Sequence, residues 1–195
     1  MSTDGRTEQA THDAGGWQTV ESRVAYENPW MFVREDKVIR PNGDDGLYGV
    51  VHSRNPAVFI VALTEDDEVV MIETFRYTTQ TWSLEVPAGS TDGEDPLIAA
   101  ERELAEENGL AASEWIPLGG YFALNGIAHC PESAYLARGL TTVDDPTEHQ
   151  AEEGIRTVRR VPWREVLELV KSGGIQDSGT IAPLMLAAVH LGRVS

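Results

Sequence analysis

The sequence contains one cysteine and no long apolar run, and both shortages narrow the class of protein. Cys130 has no second cysteine to pair with, so the chain cannot form an internal disulfide, which agrees with a reducing compartment. No apolar segment approaches the roughly 20 residues that a membrane-spanning helix requires. Residues 1–16 are polar and lack the basic and then apolar order of a signal peptide. We therefore expect a soluble cytoplasmic protein with no membrane partner and a disordered tail over residues 1–16.

Basic residues are also scarce. The chain has 15 Lys and Arg against 32 Asp and Glu, which gives a formal net charge of -17. Sequence-independent binding of nucleic acid depends on basic side chains that neutralise phosphates, so this charge argues against a nucleic-acid partner. An anionic substrate would need a metal cation between itself and so acidic a protein.

Two glycine-rich phosphate-binding motifs are missing. The sequence has neither G-x-x-x-x-G-K-[ST] nor a G-x-G-x-x-G that follows a strand, so the nucleoside triphosphatase and dinucleotide oxidoreductase classes lack their binding loops. A nucleophilic pair of His129 and Cys130 is also disfavoured. The two residues are neighbours in sequence, so their side chains point in different directions, and no supporting motif accompanies them.

The first third of the chain has the pattern of antiparallel strands. Residues 17–54 contain three strand-like segments, the second and third joined by the turn signal PNGDDG. Next, AVFIVAL and EVVMIETFRY flank TEDD, which predicts a hairpin whose first strand is apolar throughout and buried on both faces. The segment WSLEV predicts a further short strand that ends at Pro87.

The rest of the chain mixes both kinds of element. Strands are predicted near WIPLGGYFAL, SAYLARGL and IRTVRRV, and two helices near WREVLELVKSG and TIAPLMLAAVHLGRV. The simplest fold that accommodates these elements is of the α/β class (α+β), with a mixed sheet that carries helices on both faces.

One further helix is well delimited by its ends. Asp95 followed by Pro96 is a good start, because Asp accepts from free N–H groups and Pro gives up a donor that has no helical partner. Gly109 is a good end, since glycine readily takes the left-handed conformation after a helix. Leu97 and Leu104 belong to the apolar stripe between these ends.

The polar face of this helix crowds three carboxylates together. Glu103, Glu106 and Glu107 stand at i, i+3 and i+4, which places them on one face. Each like-charge pair costs an isolated helix about 0.2–0.5 kcal/mol. Hard divalent cations such as magnesium take carboxylate ligands and would relieve this repulsion. A solvated acidic face is the alternative that the three glutamates alone leave open.

The surrounding residues resemble a known motif. From Gly89 the chain has four residues, then Glu94, then seven residues, then the segment RELAEENGL at 102–110. This resembles the Nudix box, G-x5-E-x7-R-E-U-x-E-E-x-G-U with U apolar. The loop between Gly89 and Glu94 is one residue shorter than in the family. The resemblance assigns Glu94 and Arg102 to a supporting role, through pairing with each other.

The resemblance also implies a metal site. The family uses this helix to hold Mg²⁺, or alternatively Mn²⁺, against a diphosphate. By resemblance Glu103 and Glu107 are the principal ligands, Glu106 is an additional one, and the carbonyl of Ala88 contributes an oxygen. Glu106 is counted among the catalytic carboxylates as well.

Most of residues 20–192 resemble the ADP-ribose and nucleotide-sugar pyrophosphatase branch of this family. The segments ETFRYTTQTWSLEVPAG and YLARGLT carry this resemblance. It implies a Nudix-type α/β/α sandwich over residues 55–195 and an N-terminal β meander over residues 17–54 that takes part in a homodimer. The implied partner is a small nucleoside-diphosphate substrate.

Further site residues follow from the same resemblance. The branch places a general base in a mobile loop that corresponds here to TEHQAEEGI, where Glu153 matches best and Glu152 next. Arg76 matches an arginine that contacts the substrate phosphates, a role suited to its planar fork. Glu85 matches a branch glutamate with a substrate or structural role. Trp30 is a candidate for stacking a purine ring.

The expected reaction is metal-assisted hydrolysis of a pyrophosphate by water, which for ADP-ribose gives AMP and ribose 5-phosphate. Two alternatives stay open. One is a hydrolase of another nucleoside-diphosphate derivative, such as GDP-mannose, ADP-glucose or a diadenosine polyphosphate. The other is a non-catalytic Nudix module that senses a nucleotide sugar. Selectivity depends on loop geometry and a few hydrogen bonds, so the sequence does not choose the sugar.

Overall fold

The structure is a computed structural model and describes residues 15–143 and 145–194. Residues 1–14 of the predicted tail lie outside the described residues. The chain divides into two compact units. The first unit comprises the described residues up to 55 together with residues 122–131, and the second unit comprises residues 56–121 and the described residues from 132 onwards.

The first unit is built on an antiparallel meander. Its strands are β1 (Gln18–Glu27), β2 (Met31–Ile39) and β3 (Asp45–Ser53). The side chain of Asn28 shapes the first turn, because its Oδ1 accepts from the backbone N–H groups of Trp30 at 2.9 Å and Met31 at 2.8 Å. The three strands and the PNGDDG turn agree with the pattern in the sequence.

The second unit contains a mixed sheet. Its strands are β4 (Ala57–Leu63), β5 (Glu68–Arg76), β6 (Thr81–Glu85), β7 (Ala88–Ser90), β8 (Leu110–Ala123), β9 (Ala128–Thr142) and β10 (Ile155–Pro162), of which β8 and β9 extend across the boundary between the units. Strand β4 pairs antiparallel with β5 and β7 and parallel with β9. Strand β5 pairs antiparallel with β6 and β10.

The described residues of the second unit also form four helices: α1 (Pro96–Asn108), α2 (Thr147–Glu153), α3 (Trp163–Ser172) and α4 (Ser178–His190). The sequence predicts α1, α3 and α4, whereas α2 occupies the segment expected to be a loop. A left-handed Gly154 ends α2, and the N–H of Gly154 donates to the carbonyl of Gln150. Among the residues that the structure describes, no helix combines the length and apolar character needed to cross a bilayer.

The apolar strand β4 separates two cores. Val61 and Leu63 pack on one face of the sheet with residues of α3 and α4, including Val166 and Leu184. The alternate residues Val58, Ile60 and Ala62 pack on the other face with Ala99, Ala100 and Leu104 of α1. Side chains alternate between the two faces of a strand, so a strand covered on both faces must be apolar throughout. The predicted α/β arrangement with helices on both faces is confirmed.

The ends of α1 follow the predicted capping. The Oδ1 atom of Asp95 accepts from the N–H of Leu97 at 2.9 Å, and Pro96 occupies the first turn. Gly109 has a φ of 64° and donates to the carbonyl of Ala105 at 2.8 Å. The buried residues of the helix include Glu103 and Glu107. The fold therefore turns two carboxylates of α1 inward beside its apolar stripe.

Candidate functional site

A glycine of strand β7 lies directly against one of the inward carboxylates of α1. Gly89 is in β7, where it pairs with Val58 of β4. A Cβ atom added at Gly89 would lie 2.0 Å from the carboxyl carbon of Glu103. No other residue fits at this position without displacing that carboxylate. Glycine at position 89 therefore leaves the space that the carboxylate of Glu103 occupies.

Glu107 is the most enclosed of the helix glutamates. Glu107 is only 2% exposed, and its Oε2 accepts from the backbone N–H of Ala88 at 3.0 Å. Burial, followed by the negative charge of Glu153, raises the pKa of Glu107 to about 9. The N–H of Ala88 thus donates to Glu107. The carbonyl of Ala88 is the atom that the family resemblance assigns to the metal.

Glu103 lies on the same face of the helix and is 5% exposed. Burial raises the pKa of Glu103 to about 6, although the neighbouring Arg102 acts in the opposite direction. The negative charges of Glu153 and Glu106 add to the increase. Both buried carboxylates are therefore poorly compensated in their ionised form and would be stabilised by a cation.

Arg102 connects the remaining acidic groups of the motif. Its Nη1 donates to Glu103 Oε1 at 2.8 Å and to Glu106 Oε2 at 2.9 Å. Its Nε donates to Glu94 Oε2 at 3.2 Å, which is the pairing that the family resemblance implies. Its Nη2 donates to the carbonyl of Ser90 at 2.9 Å, so the guanidinium also holds the turn that precedes the helix.

The chemistry of these donors fits a hard divalent cation. Oxygen atoms are the ligands that such cations prefer, and the repulsion between buried carboxylates falls when a cation binds. No three His, Cys, Asp or Glu side chains in the described part of the chain converge into a complete ligand set. A cation bound at Glu103 and Glu107 would therefore take further oxygens from water, substrate or backbone, as magnesium usually does in phosphate-binding sites.

Glu153 interacts electrostatically with both of these carboxylates. Glu153 ends α2, and its charge raises the pKa of both Glu103 and Glu107. Glu152 is the preceding, exposed residue of the same helix. Gln150 of α2 donates from Nε2 to the backbone carbonyl of Glu107 at 2.7 Å, so α2 contacts the end of α1 directly.

Arg76 and Glu85 form a pair at the ends of two adjacent strands. The Nε of Arg76 donates to both carboxylate oxygens of Glu85, at 3.0 and 3.1 Å, and Glu85 is only 3% exposed. This hydrogen bonding raises the pKa of Arg76, and the charges of Asp177 and Glu107 add to the effect. A guanidinium has five N–H donors, so Arg76 keeps donors for an anion while Glu85 orients it.

A cavity of about 880 Å³ adjoins this pair within the second unit. Its walls include Phe59, Trp82 and residues of the segment that joins α3 to α4, among them Gln176 and Asp177. Sequence reasoning missed Trp82, Asp177 and Gln150. Asp177 precedes α4 and was recognisable only as a helix-capping residue, while Trp82 and Gln150 carry no motif that distinguishes them from other exposed strand and helix residues.

Trp30 belongs to the first unit. It lies between β1 and β2 with 77% of its surface exposed, so its indole has free area for stacking. The other predicted site residues all lie in the second unit: Arg76, Glu85, Ala88, Glu103, Glu106, Glu107, Glu152 and Glu153.

Comparison with known families gives two matches along the chain. Residues 17–51 match the family described as the nucleoside diphosphate sugar hydrolase N-terminal domain, and residues 53–182 match the NUDIX domain.

Individual relatives cover nearly the whole chain. An ADP-ribose pyrophosphatase of Mycobacterium tuberculosis is 34% identical over 93% of this chain and 85% of its own length. A CMP-5'-(N-acetyl-N-hydroxy-3-aminopropyl)phosphonate hydrolase of Streptomyces rubellomurinus is 32% identical over 90% of this chain and 84% of its own length.

The fold has a counterpart among solved structures. The crystal structure of an ADP compounds hydrolase superposes with a TM-score of 0.77 at 21% identity, covering 91% of this chain and 97% of the other. The NUDIX match spans most of the second unit, and it contains Gly89 of β7 and the glutamates of α1 described above. This chain belongs to the Nudix hydrolase family.

Proposed function

We propose that the chain hydrolyses the pyrophosphate linkage of ADP-ribose or a related nucleoside-diphosphate sugar, giving a nucleoside monophosphate and a sugar phosphate. The observation that carries this proposal is the pair of buried carboxylates, Glu103 and Glu107, of which Glu107 also interacts electrostatically with the guanidinium of Arg76. A site that combines a cation with an arginine fork suits a substrate with adjacent phosphates. The ADP-ribose pyrophosphatase among the relatives supports the choice of substrate class.

Glu103, Glu107 and the carbonyl of Ala88 would hold Mg²⁺, or alternatively Mn²⁺, with Glu106 as an additional ligand. A divalent cation bound there supplies charge neutralisation at phosphate oxygens and lowers the pKa of bound water. The Nη1 of Arg102 donates to both Glu103 and Glu106 and so holds the two carboxylates in place. The chain thereby orients the carboxylates before substrate arrives.

The remaining steps belong to side chains around this centre. Glu153 is the proposed general base, which takes a proton from the attacking water through its carboxylate. Glu152 is the alternative. Arg76 binds the phosphate oxygens through its fork, and Glu85 holds that fork in orientation. Stacking of the substrate's purine ring on Trp30 stays a prediction.

The proposed reaction is tested with a substrate panel. Purified protein is incubated with ADP-ribose, ADP-glucose, GDP-mannose and diadenosine polyphosphates, each with Mg²⁺, Mn²⁺ or chelator, and products are identified chromatographically. We expect AMP and ribose 5-phosphate from ADP-ribose, dependent on the metal and at the highest kcat/KM of the panel. A different best substrate would change the substrate assignment. Absence of turnover, with ligand-induced thermal stabilisation retained, would place the chain among nucleotide-sugar sensors.

The role of Glu107 is tested by Glu107→Gln. We expect turnover to fall at least about a hundredfold, because one ligand charge is lost at nearly constant shape. In chelator the variant should be at least as stable as the wild type. Burial raises the pKa of Glu107 to about 9, so folding at neutral pH forces this carboxyl to take up a proton, a cost that the amide does not have. The variant should also lose the increase in Tm that Mg²⁺ gives the wild type.

The matched control is Glu101→Gln, an exposed glutamate of the same helix. This control should keep both turnover and the Mg²⁺ effect on Tm. Wild-type turnover in Glu107→Gln would contradict the metal assignment.

The role of Arg76 is tested by Arg76→Lys. An ammonium keeps the charge but not the planar fork, so we expect kcat/KM to fall about tenfold to hundredfold. The control is Arg164→Lys at an exposed position of α3. Steady-state kinetics with the best substrate of the panel separate the two, and equal kcat/KM in both variants would remove Arg76 from the phosphate site.

We also propose that the chain forms a homodimer through the first unit. Among the described residues of that unit, eight large apolar side chains are more than half exposed: Val20, Val24, Tyr26, Trp30, Leu47, Phe122, Leu124 and Ile127. Exposed apolar surface of this kind marks interaction sites.

The proposed dimer is tested by light scattering, and the molar mass measured in solution should be that of two chains. Val24→Lys should shift it towards one chain, whereas Val189→Lys on α4 of the second unit should not, and a single-chain mass for the wild type would refute the dimer.

A further inference from the structure

Helix α2 has few interactions of its own to hold it in place. It has seven residues, and none of them is buried. Pro146 precedes it without a side-chain capping hydrogen bond, and at its start Asp145 Oδ1 accepts from the N–H of Thr147 at 3.1 Å and from the Thr147 hydroxyl. Helices this short are not stable in isolation, so contacts with the rest of the fold must fix the position of α2. Those contacts, together with strand β10 that begins at Ile155, determine where Glu153, its last residue, lies.

One side chain of α2 makes such a contact. Six residues of the helix are exposed, whereas Gln150 is half-buried. Its Nε2 donates to the backbone carbonyl of Glu107 at 2.7 Å. The last carbonyls of a helix lack partners within the helix, so this carbonyl of α1 is available to an external donor. Glu107 is thereby engaged twice, because its carboxylate accepts from the N–H of Ala88.

The spacing along α2 links this contact to the proposed base. Residues three apart on a helix lie on the same face, so Gln150 and Glu153 face α1 together. Residue 152, two positions after Gln150, lies on another face. The charge of Glu153 acts on Glu103 and Glu107, as expected from this orientation.

We infer that Gln150 is a positioning residue: its hydrogen bond to the Glu107 carbonyl holds α2 on the metal-binding helix and keeps the carboxylate of Glu153 at the reaction centre. This inference rests on the proposed function, in which Glu153 is the general base. Gln150 lies outside the Nudix box. Its hydrogen bond explains how a short exposed helix can hold the carboxylate of Glu153 at the reaction centre.

The contact is tested with two substitutions of Gln150 and one control. Gln150→Met keeps the length of the side chain but has no N–H donor, and Gln150→Lys retains a donor. The control is His149→Ala, at an exposed position of the same helix. We expect Gln150→Met to lower kcat about tenfold with KM changed less than twofold, since one hydrogen bond is lost. Gln150→Lys should recover most of this loss, and His149→Ala should match the wild type.

A second measurement does not depend on turnover. Amide hydrogen exchange in chelator should be about tenfold faster over residues 147–153 in Gln150→Met than in the wild type, with no change over α3. If the wild type proves inactive on the whole panel, the proposed function fails and this exchange result still tests the contact by itself. Unchanged exchange over residues 147–153 would overturn the inference.

A double-mutant cycle separates positioning of Glu153 from a general effect on the fold. If Gln150 acts through Glu153, adding Gln150→Met to Glu153→Gln should lower kcat less than twofold further. Effects that multiply would overturn the inference, as would a change in KM without a change in kcat. Loss of turnover in Glu152→Gln with normal turnover in Glu153→Gln would move the base to Glu152 and overturn it as well.

Discussion

Two carboxylates buried on one face of α1 set the constraint on which the rest of the site depends. Glu103 and Glu107 are 5% and 2% exposed, and ionised groups in such positions are strongly disfavoured without a compensating charge. The neighbouring structure follows from this. Gly89 leaves space for one carboxylate, the N–H of Ala88 donates to the other, and Arg102 supplies a positive charge from the adjacent position. A divalent cation and a diphosphate complete the charge balance in the proposed reaction.

The second unit positions these groups through the two faces of β4. Because its side chains pack into a core on either side, the sheet fixes α1 on one face and α3 and α4 on the other. Strand β7 then pairs with β4 and carries Gly89 to the helix. At the far end of α1 the left-handed Gly109 ends the helix, and the carbonyl of Glu107 remains available to Gln150 of α2. Helix α1 and strand β7 therefore hold the proposed metal ligands, whereas the position of the proposed base, Glu153, depends on the hydrogen bond that Gln150 makes.

The sequence predicts those features that local rules determine. Asp95, Pro96 and Gly109 define α1 by capping and backbone preference, and the unbroken apolar run of β4 indicates burial on both faces. The resemblance to the Nudix box identified the glutamates of α1. Features that depend on contacts between distant segments were not accessible: the helical conformation of residues 147–153, the hydrogen bond from Gln150, and the place of Trp82 and Asp177 in the cavity wall. Each of these is set by packing across the fold, which a single sequence does not record.

The central claim, that the buried glutamates of α1 hold a divalent cation against a diphosphate, is tested most directly by Mn²⁺ binding. Electron paramagnetic resonance of free Mn²⁺ measures binding without turnover, in the presence and absence of ADP. The prediction is that the wild type binds Mn²⁺, that ADP strengthens this binding, and that the double variant Glu103→Gln with Glu107→Gln loses both effects while the Glu101→Gln control keeps them. Equal Mn²⁺ binding by the double variant and the wild type would contradict the claim.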